Sequence, residues 1–254
     1  NFTVNSIGIH PGYLSMYLIV ALIYTLNKAF TVSTLKKKIK WVIATLFYIL
    51  SILYIGAKTS FFILLLILLL YIIKYSTKKR YIFYSLSLLT VGLIIVSYFF
   101  YTFSYGFRTR VVFFLTGKYT NLQERFDIYS SILTLFKGNP LKLFMGFGTG
   151  CLMSRLLEVY KELSFETLFS KKMDAHSIFF KSLAEQGVLG LISTLALFQG
   201  LRLVFFKINF KYFLFSLSFF LFGIIEHFLD TQHGVVFFML LNILFYKNQI
   251  DEYK

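Results

Sequence analysis

Residues 41–73, "WVIATLFYILSILYIGAKTSFFILLLILLLYII", carry a single charge, Lys58. As one α-helix this stretch would run about 50 Å at ~1.5 Å per residue. The hydrocarbon core of a bilayer is only about 30 Å thick. The run therefore folds as a hairpin of two apolar arms, 41–57 and 59–73, turning at "GAKTS" (56–60). Such short arms draw Lys58 toward a membrane boundary.

Five further apolar segments, at 12–30, 81–103, 177–206, 210–229 and 234–247, bring the expected number of transmembrane helices to about seven. The chain is 57% hydrophobic and its mean hydropathy is +0.73. A soluble fold cannot cover that much apolar surface, so the expected class is an all-α polytopic integral membrane protein. The division is 1–103 (transmembrane helices), 104–175 (a large helical extracytoplasmic loop) and 176–254 (C-terminal transmembrane helices).

The net charge of +15 is a topology signal and an attraction to anionic lipid, not a nucleic-acid footprint. Lys28, Lys36, Lys37, Lys38 and Lys40 follow the first span. Lys74, Lys78, Lys79 and Arg80 follow the third. Arg202, Lys207 and Lys211 lie around the fifth-to-sixth connection, and Lys247 follows the last span. These groups alternate along the chain and so define a cytoplasmic side. The other side then carries Lys58, segment 104–175, His176 and the "EHFLDTQH" turn (226–233). A lone cysteine, Cys151, excludes an internal disulfide and a cysteine metal cluster.

Within the long segment, "TNLQERFDIYSSILTLFKGNP" has helical apolar spacing. Asn121 and Glu124 suit a capping-box-like start, and Gly138 and Pro140 a stop. "GFGTG" (146–150) is a flexible turn, and a second helix at about 151–169 returns to the membrane.

At the next span, His176-Ser177 is followed by nine residues and then Gly187-Val188-Leu189-Gly190. Asp174 or Ser177 can cap this helix, whose N-terminus favours an anion and a neutral imidazole. As residues alone, His176 is either a proton acceptor or an interfacial polar residue at a helix start. Ala184, Gly187 and Gly190 form a small-residue face. Lys181 and Glu185 are spaced to pair, or to contact substrate. Glu226, His227, Asp230 and His233 form no firm motif.

The His-Ser-x9-Gly-x-x-Gly pattern resembles the signature of the O-antigen ligase and Wzy-type polysaccharide polymerase superfamily. "IHPGYLSMY", "GAKTS", "ERFDIY" and "GFGTG" occur in the order that family shows. The chain resembles the C-terminal part of such a protein, with a GT-C-like fold. The resemblance implies transfer of a glycan from undecaprenyl diphosphate to an acceptor sugar hydroxyl, on the outer face of the bacterial cytoplasmic membrane. It implies His176 as the base, and Lys58 and Arg125 as the groups that stabilise the diphosphate. Lysine at position 58 departs from the arginine usual in the family. Ser177, Lys181, Glu185, Glu226 and His227 join Lys58 and Arg125 as candidate substrate contacts.

The expected partners are the lipid-linked oligosaccharide, the growing polysaccharide, the bilayer and a chain-length regulator, without nucleic acid. The resemblance implies no metal or other cofactor, and the sequence shows no nucleotide motif. Abundant Phe, Ile, Lys and Tyr suggest an AT-rich genome, which favours a capsule or exopolysaccharide polymerase over a ligase. A transporter or flippase for the same lipid-linked glycan is the alternative of a different class.

Overall fold

The computed structural model describes residues 10–75, 120–202 and 209–251, with isolated positions 92, 98, 102, 108 and 112. The expected span at 81–103, residues 104–119 apart from two isolated positions, and Lys78, Lys79, Arg80 and Lys207 lie outside these. The first three helices are α1 (Pro11–Thr31), α2 (Leu35–Ile55) and α3 (Lys58–Tyr75). Next come α4 (Thr120–Thr134), α5 (Pro140–Met145), α6 (Leu152–Glu162) and α7 (Glu166–Ser170). The C-terminal part has α8 (Ile178–Ala196), α9 (Gln199–Arg202), α10 (Phe210–Ile225), a 3-10 turn (Phe228–Asp230) and α11 (Gln232–Asp251).

Four helices, α1, α2, α3 and α8, are long and apolar enough to cross a bilayer. The protein is all-helical among its described residues and is a polytopic membrane protein. α2 exposes Ile43, Phe47 and Tyr54 at 61%, 63% and 68%, a face suited to hydrocarbon and not to water.

Local chemistry sets the ends of these elements. α1 starts at Pro11, whose missing N–H suits a first helical position, and His10 Nδ1 accepts from the Gly12 N–H at 3.2 Å. α2 closes on Gly56 in the left-handed region (φ 67°), and α3 begins two residues later. The "GAKTS" hairpin is thus present. Lys36, Lys37, Lys38 and Lys40 lie in the opening turns of α2, where a loop was expected. Their flexible stems reach a headgroup region from a helix end, so no loop is needed.

The helices of the segment expected to be external also differ from expectation at their boundaries. α4 begins at Thr120, and the Glu124 carboxylate bonds Lys171 at 2.9 Å instead of closing a capping box. Pro140 opens α5 after an Asn139 cap, the position where proline costs a helix nothing. The single helix expected at 151–169 is split into α6 and α7 at Ser164, which has φ 56°. The apolar segment 210–229 ends its helix at Ile225, because Glu226 takes an extended conformation.

Two apolar cores result. One joins α1, α3, α10 and α11, with Phe215, Phe219, Phe222, Phe228 and Phe238 in mutual contact. The other joins α4, α6, α7 and α8 through Ile128, Ile132, Leu156, Tyr160, Leu168 and Ala184. α8 belongs to both, with Ile178 in the first and Ala184 in the second. A buried contact between Ser15 and Ser60 hydroxyls ties α1 to α3.

α8 is broken at Gly187, whose φ of 69° and ψ of −163° lie outside the helix. The break frees the carbonyls of Ala184 and Glu185. They accept the N–H groups of Phe147 and Gly148, both at 2.9 Å. A Cβ on Gly187 would lie 2.1 Å from the Phe144 oxygen, and one on Gly146 would lie 2.3 Å from the Glu185 oxygen. Gly187 therefore receives the end of helix α5 at Phe144 together with the turn that follows it at Gly146. "GFGTG" is an ordered ligand of the α8 break.

Gly187→Ala is expected to lower the melting temperature in detergent well beyond the effect of Gly138→Ala. Gly138 also has a positive φ (78°) but open space around it, so it reports backbone strain alone, about 1–2 kcal/mol. Equal small shifts at both positions would exclude the docking of the loop as a stabilising contact.

Candidate active site

A cavity of about 270 Å³ opens at the end of the helix bundle opposite Lys28 and Lys74. Its wall comprises the start of α1 (His10, Pro11, Gly12), the α2–α3 turn from Ile55 to Thr59, Arg125 of α4, and Phe222 and Glu226. Two long helices, α1 and α3, begin at this cavity. Each helix start brings its positive dipole end to the cavity. Lys58 and Arg125 add two cations, so the cavity is suited to a multiply charged anion. Glu226 contributes the carboxylate of the wall. The hairpin and the external helix, far apart in sequence, thus deliver Lys58 and Arg125 to one place.

Arg125 is more than a wall residue. Its Nη1 donates to the Ile225 carbonyl at 2.7 Å and to the His176 carbonyl at 3.4 Å. Tyr129, one turn further along α4, donates to the Ile224 carbonyl at 3.0 Å. Its ring stacks on Phe180 at 4.2 Å. α4 thereby satisfies two successive carbonyls at the end of α10, where a cation also suits the helix dipole. With Nη1 committed, recognition of an anion by Arg125 falls to its Nε and Nη2 donors.

His176 has φ 48°, left-handed backbone that a non-glycine residue adopts at a cost of about 1–2 kcal/mol. Its carbonyl is the one Arg125 holds. The imidazole is partly buried and lies beside the cavity, connected to its wall through Arg125. Burial lowers the His176 pKa below its ordinary 6.5, and the Arg125 charge lowers it further; Glu226 opposes these effects. The ring is therefore neutral near pH 7 and can accept a proton. Neutrality expected from the helix dipole alone has burial as its first cause. Ser177 is the residue that precedes α8, but no side-chain bond caps the helix.

A second polar group adjoins His176. The His227 ring centre is 5.8 Å from that of His176, and His227 Nε2 is 3.8 Å from Asp174 Oδ2. Lys181 forms an ion pair with Asp230. This corrects the expected Lys181–Glu185 pair. The 3-10 turn brings Asp230 to Lys181, while Glu185 Oε1 accepts the Gly150 N–H at 3.1 Å. Asp174, His227 and Asp230 each offer a ligand atom within 4.8 Å of the others, a spacing that can hold a metal ion. The Lys181 ammonium already supplies one positive charge there.

Two candidate contacts are placed away from the cavity. Ser177 is buried and donates to the Gly223 carbonyl at 3.2 Å, which locks α8 to α10. Glu185 serves the 146–150 loop. Sequence reasoning missed Tyr129, although its spacing of four from Arg125 put both on one helix face. It also missed His10 as a wall residue, although "IHPGY" contained it.

Residues 43–195 match the family described as O-antigen ligase (Wzy_C). No curated protein and no solved structure shows significant similarity to the chain. The match spans more than half of the sequence and includes Lys58 and Arg125 of the cavity wall and His176, whose carbonyl Arg125 holds. Family members are glycosyltransferase-like enzymes of O-antigen ligase or polymerase type, acting on lipid-linked oligosaccharide and polysaccharide. The chain belongs to the O-antigen ligase family.

Proposed function

We propose that the protein is a polysaccharide polymerase that transfers oligosaccharide from undecaprenyl diphosphate to an acceptor sugar hydroxyl, on the outer face of the cytoplasmic membrane. The observation that carries this reading is the cavity. Two helix N-termini and two cations converge there, next to a neutral histidine. The acceptor oxygen bonds to the anomeric carbon of the donor. The anomeric carbon–oxygen bond breaks, and its electron pair leaves with the diphosphate. The acceptor proton passes to His176. Lys58 and Arg125 stabilise the charge that accumulates on the diphosphate oxygens, inside a partly dehydrated wall. The leaving group is a stable anion, so no general acid is required.

The direct test is incubation of purified protein with synthetic undecaprenyl-diphosphate repeat units, read as a ladder of products. Arg125→Ala is expected to cost more than Lys58→Ala, because it also releases the His176 carbonyl. Lys58→Arg retains transfer, since the fork of arginine suits a diphosphate. Full activity in Lys58→Ala would remove that residue from the site.

His176→Ala is expected to lower transfer roughly 100- to 10,000-fold, the usual range for a lost general base. In the native protein the acid limb of kcat/KM lies below pH 6.5, because the His176 pKa is lowered. Removing a cation favours the protonated ring. The limb of the residual activity in Arg125→Gln therefore moves to higher pH. A limb that stays in place would sever the electrostatic link between the two residues.

The orientation is testable with the native cysteine. Cys151 is exposed in the segment between α5 and α6. A membrane-impermeant maleimide is expected to label it in intact cells and not to label Cys151→Ser. Labelling only after permeabilisation would reverse the assigned sides.

A further inference from the structure

We infer that Asp174, Lys181, His227 and Asp230 form the subsite that binds the acceptor sugar, and that it selects against an acidic sugar. This rests on the donor reading of the cavity given above, and names the half of the site that reading leaves open.

The four side chains come from three places in the fold. Asp174 lies before α8, Lys181 lies in its first turns, and His227 and Asp230 flank the buried Phe228 of the 3-10 turn. That turn is held rigidly. Phe228 is fully buried in the aromatic core, and Gly234 packs so closely that a Cβ there would lie 2.0 Å from the Phe228 oxygen. The four side chains are fixed but reachable, between 23% and 32% exposed.

Their position suits an acceptor. His176 links this group to the cavity. Its ring centre lies 5.8 Å from that of His227, and its carbonyl accepts from the cavity residue Arg125. A hydroxyl bound at the group and a diphosphate bound in the cavity would flank the same base.

The chemistry suits a polyol. A sugar hydroxyl donates to a carboxylate and accepts from an ammonium or imidazole N–H. The Lys181–Asp230 pair offers one acceptor and one donor to neighbouring hydroxyls. His227 Nε2 and Asp174 Oδ2, at 3.8 Å, are too far apart for a direct hydrogen bond and can share one hydroxyl. The charge balance sets the preference. Two carboxylates, Asp174 and Asp230, face one ammonium, Lys181. A uronate in the acceptor position meets net negative charge, whereas a neutral or amino sugar does not.

The test uses the full chain in nanodiscs with an undecaprenyl-diphosphate-linked donor. Acceptor oligosaccharides ending in glucose, glucosamine or glucuronate are compared, and donor binding is measured separately. Asp174→Asn and Asp230→Asn preserve shape. Each is expected to raise acceptor KM roughly ten- to a hundredfold, far more than it lowers kcat, as loss of a charged hydrogen bond does. Donor affinity should be unchanged. Asp230→Asn should also reduce the discrimination against glucuronate. Unchanged acceptor KM in both variants, a native preference for glucuronate, or a defect confined to donor binding would each overturn the subsite. So would acceptor use that is abolished by chelation and restored by a divalent cation, since the group would then be a metal site. Failure of the native protein to bind the donor would instead overturn the reading of the cavity, and the separate donor measurement tells the two failures apart.

Discussion

The hydrogen bonds from one guanidinium nitrogen, Arg125 Nη1, to the carbonyls of Ile225 and His176 hold the site together. A helix ending in or near a bilayer leaves carbonyls that lipid cannot satisfy. Arg125 and Tyr129 meet that demand for α10 from a helix belonging to another core. In doing so they fix the strained backbone of His176 and place a cation at the cavity wall. Structure and chemistry are therefore coupled at this residue. Its positive charge completes a helix end, lowers the pKa of the neighbouring imidazole and lines the anion site.

A second backbone demand explains the glycines. α8 breaks at Gly187 and exposes two carbonyls. The 146–150 loop answers with two N–H groups at matching spacing. The glycines at 146 and 187 allow the two backbones to approach to a distance that no side chain permits. The outcome is a fixed joint between α8 and the helices that precede it, positioned nine residues into α8. Glu185 reinforces it from below through Gly150.

The polar groups around His176 differ in charge balance. The cavity wall carries two cations and the Glu226 carboxylate, and the cluster carries two carboxylates and the Lys181 ammonium. In the proposed transfer these are two different binding environments, for the leaving group and for the acceptor. An anionic leaving group and a neutral hydroxylated acceptor have opposite electrostatic needs. A single uniformly charged pocket would serve only one of them.

Local properties of the chain were legible in the sequence. Hydropathy marked the class, because apolar runs of bilayer length have no other stable solution. The lone charge in residues 41–73 located the hairpin. The family resemblance brought out Lys58 and Arg125, which line one cavity, and His176, whose carbonyl Arg125 holds. Pairings were not legible. Lys181 chose Asp230, 49 positions away, over Glu185 one turn along its own helix. Ser177 turned inward to Gly223, and Gly187 broke its helix against the end of α5 and the turn after it. Helical periodicity specifies which residues share a face. The crossing of helices and the path of the 3-10 turn decide what that face meets. Those depend on aromatic packing and on backbone groups seeking partners across the whole molecule, so only the tertiary structure fixed them.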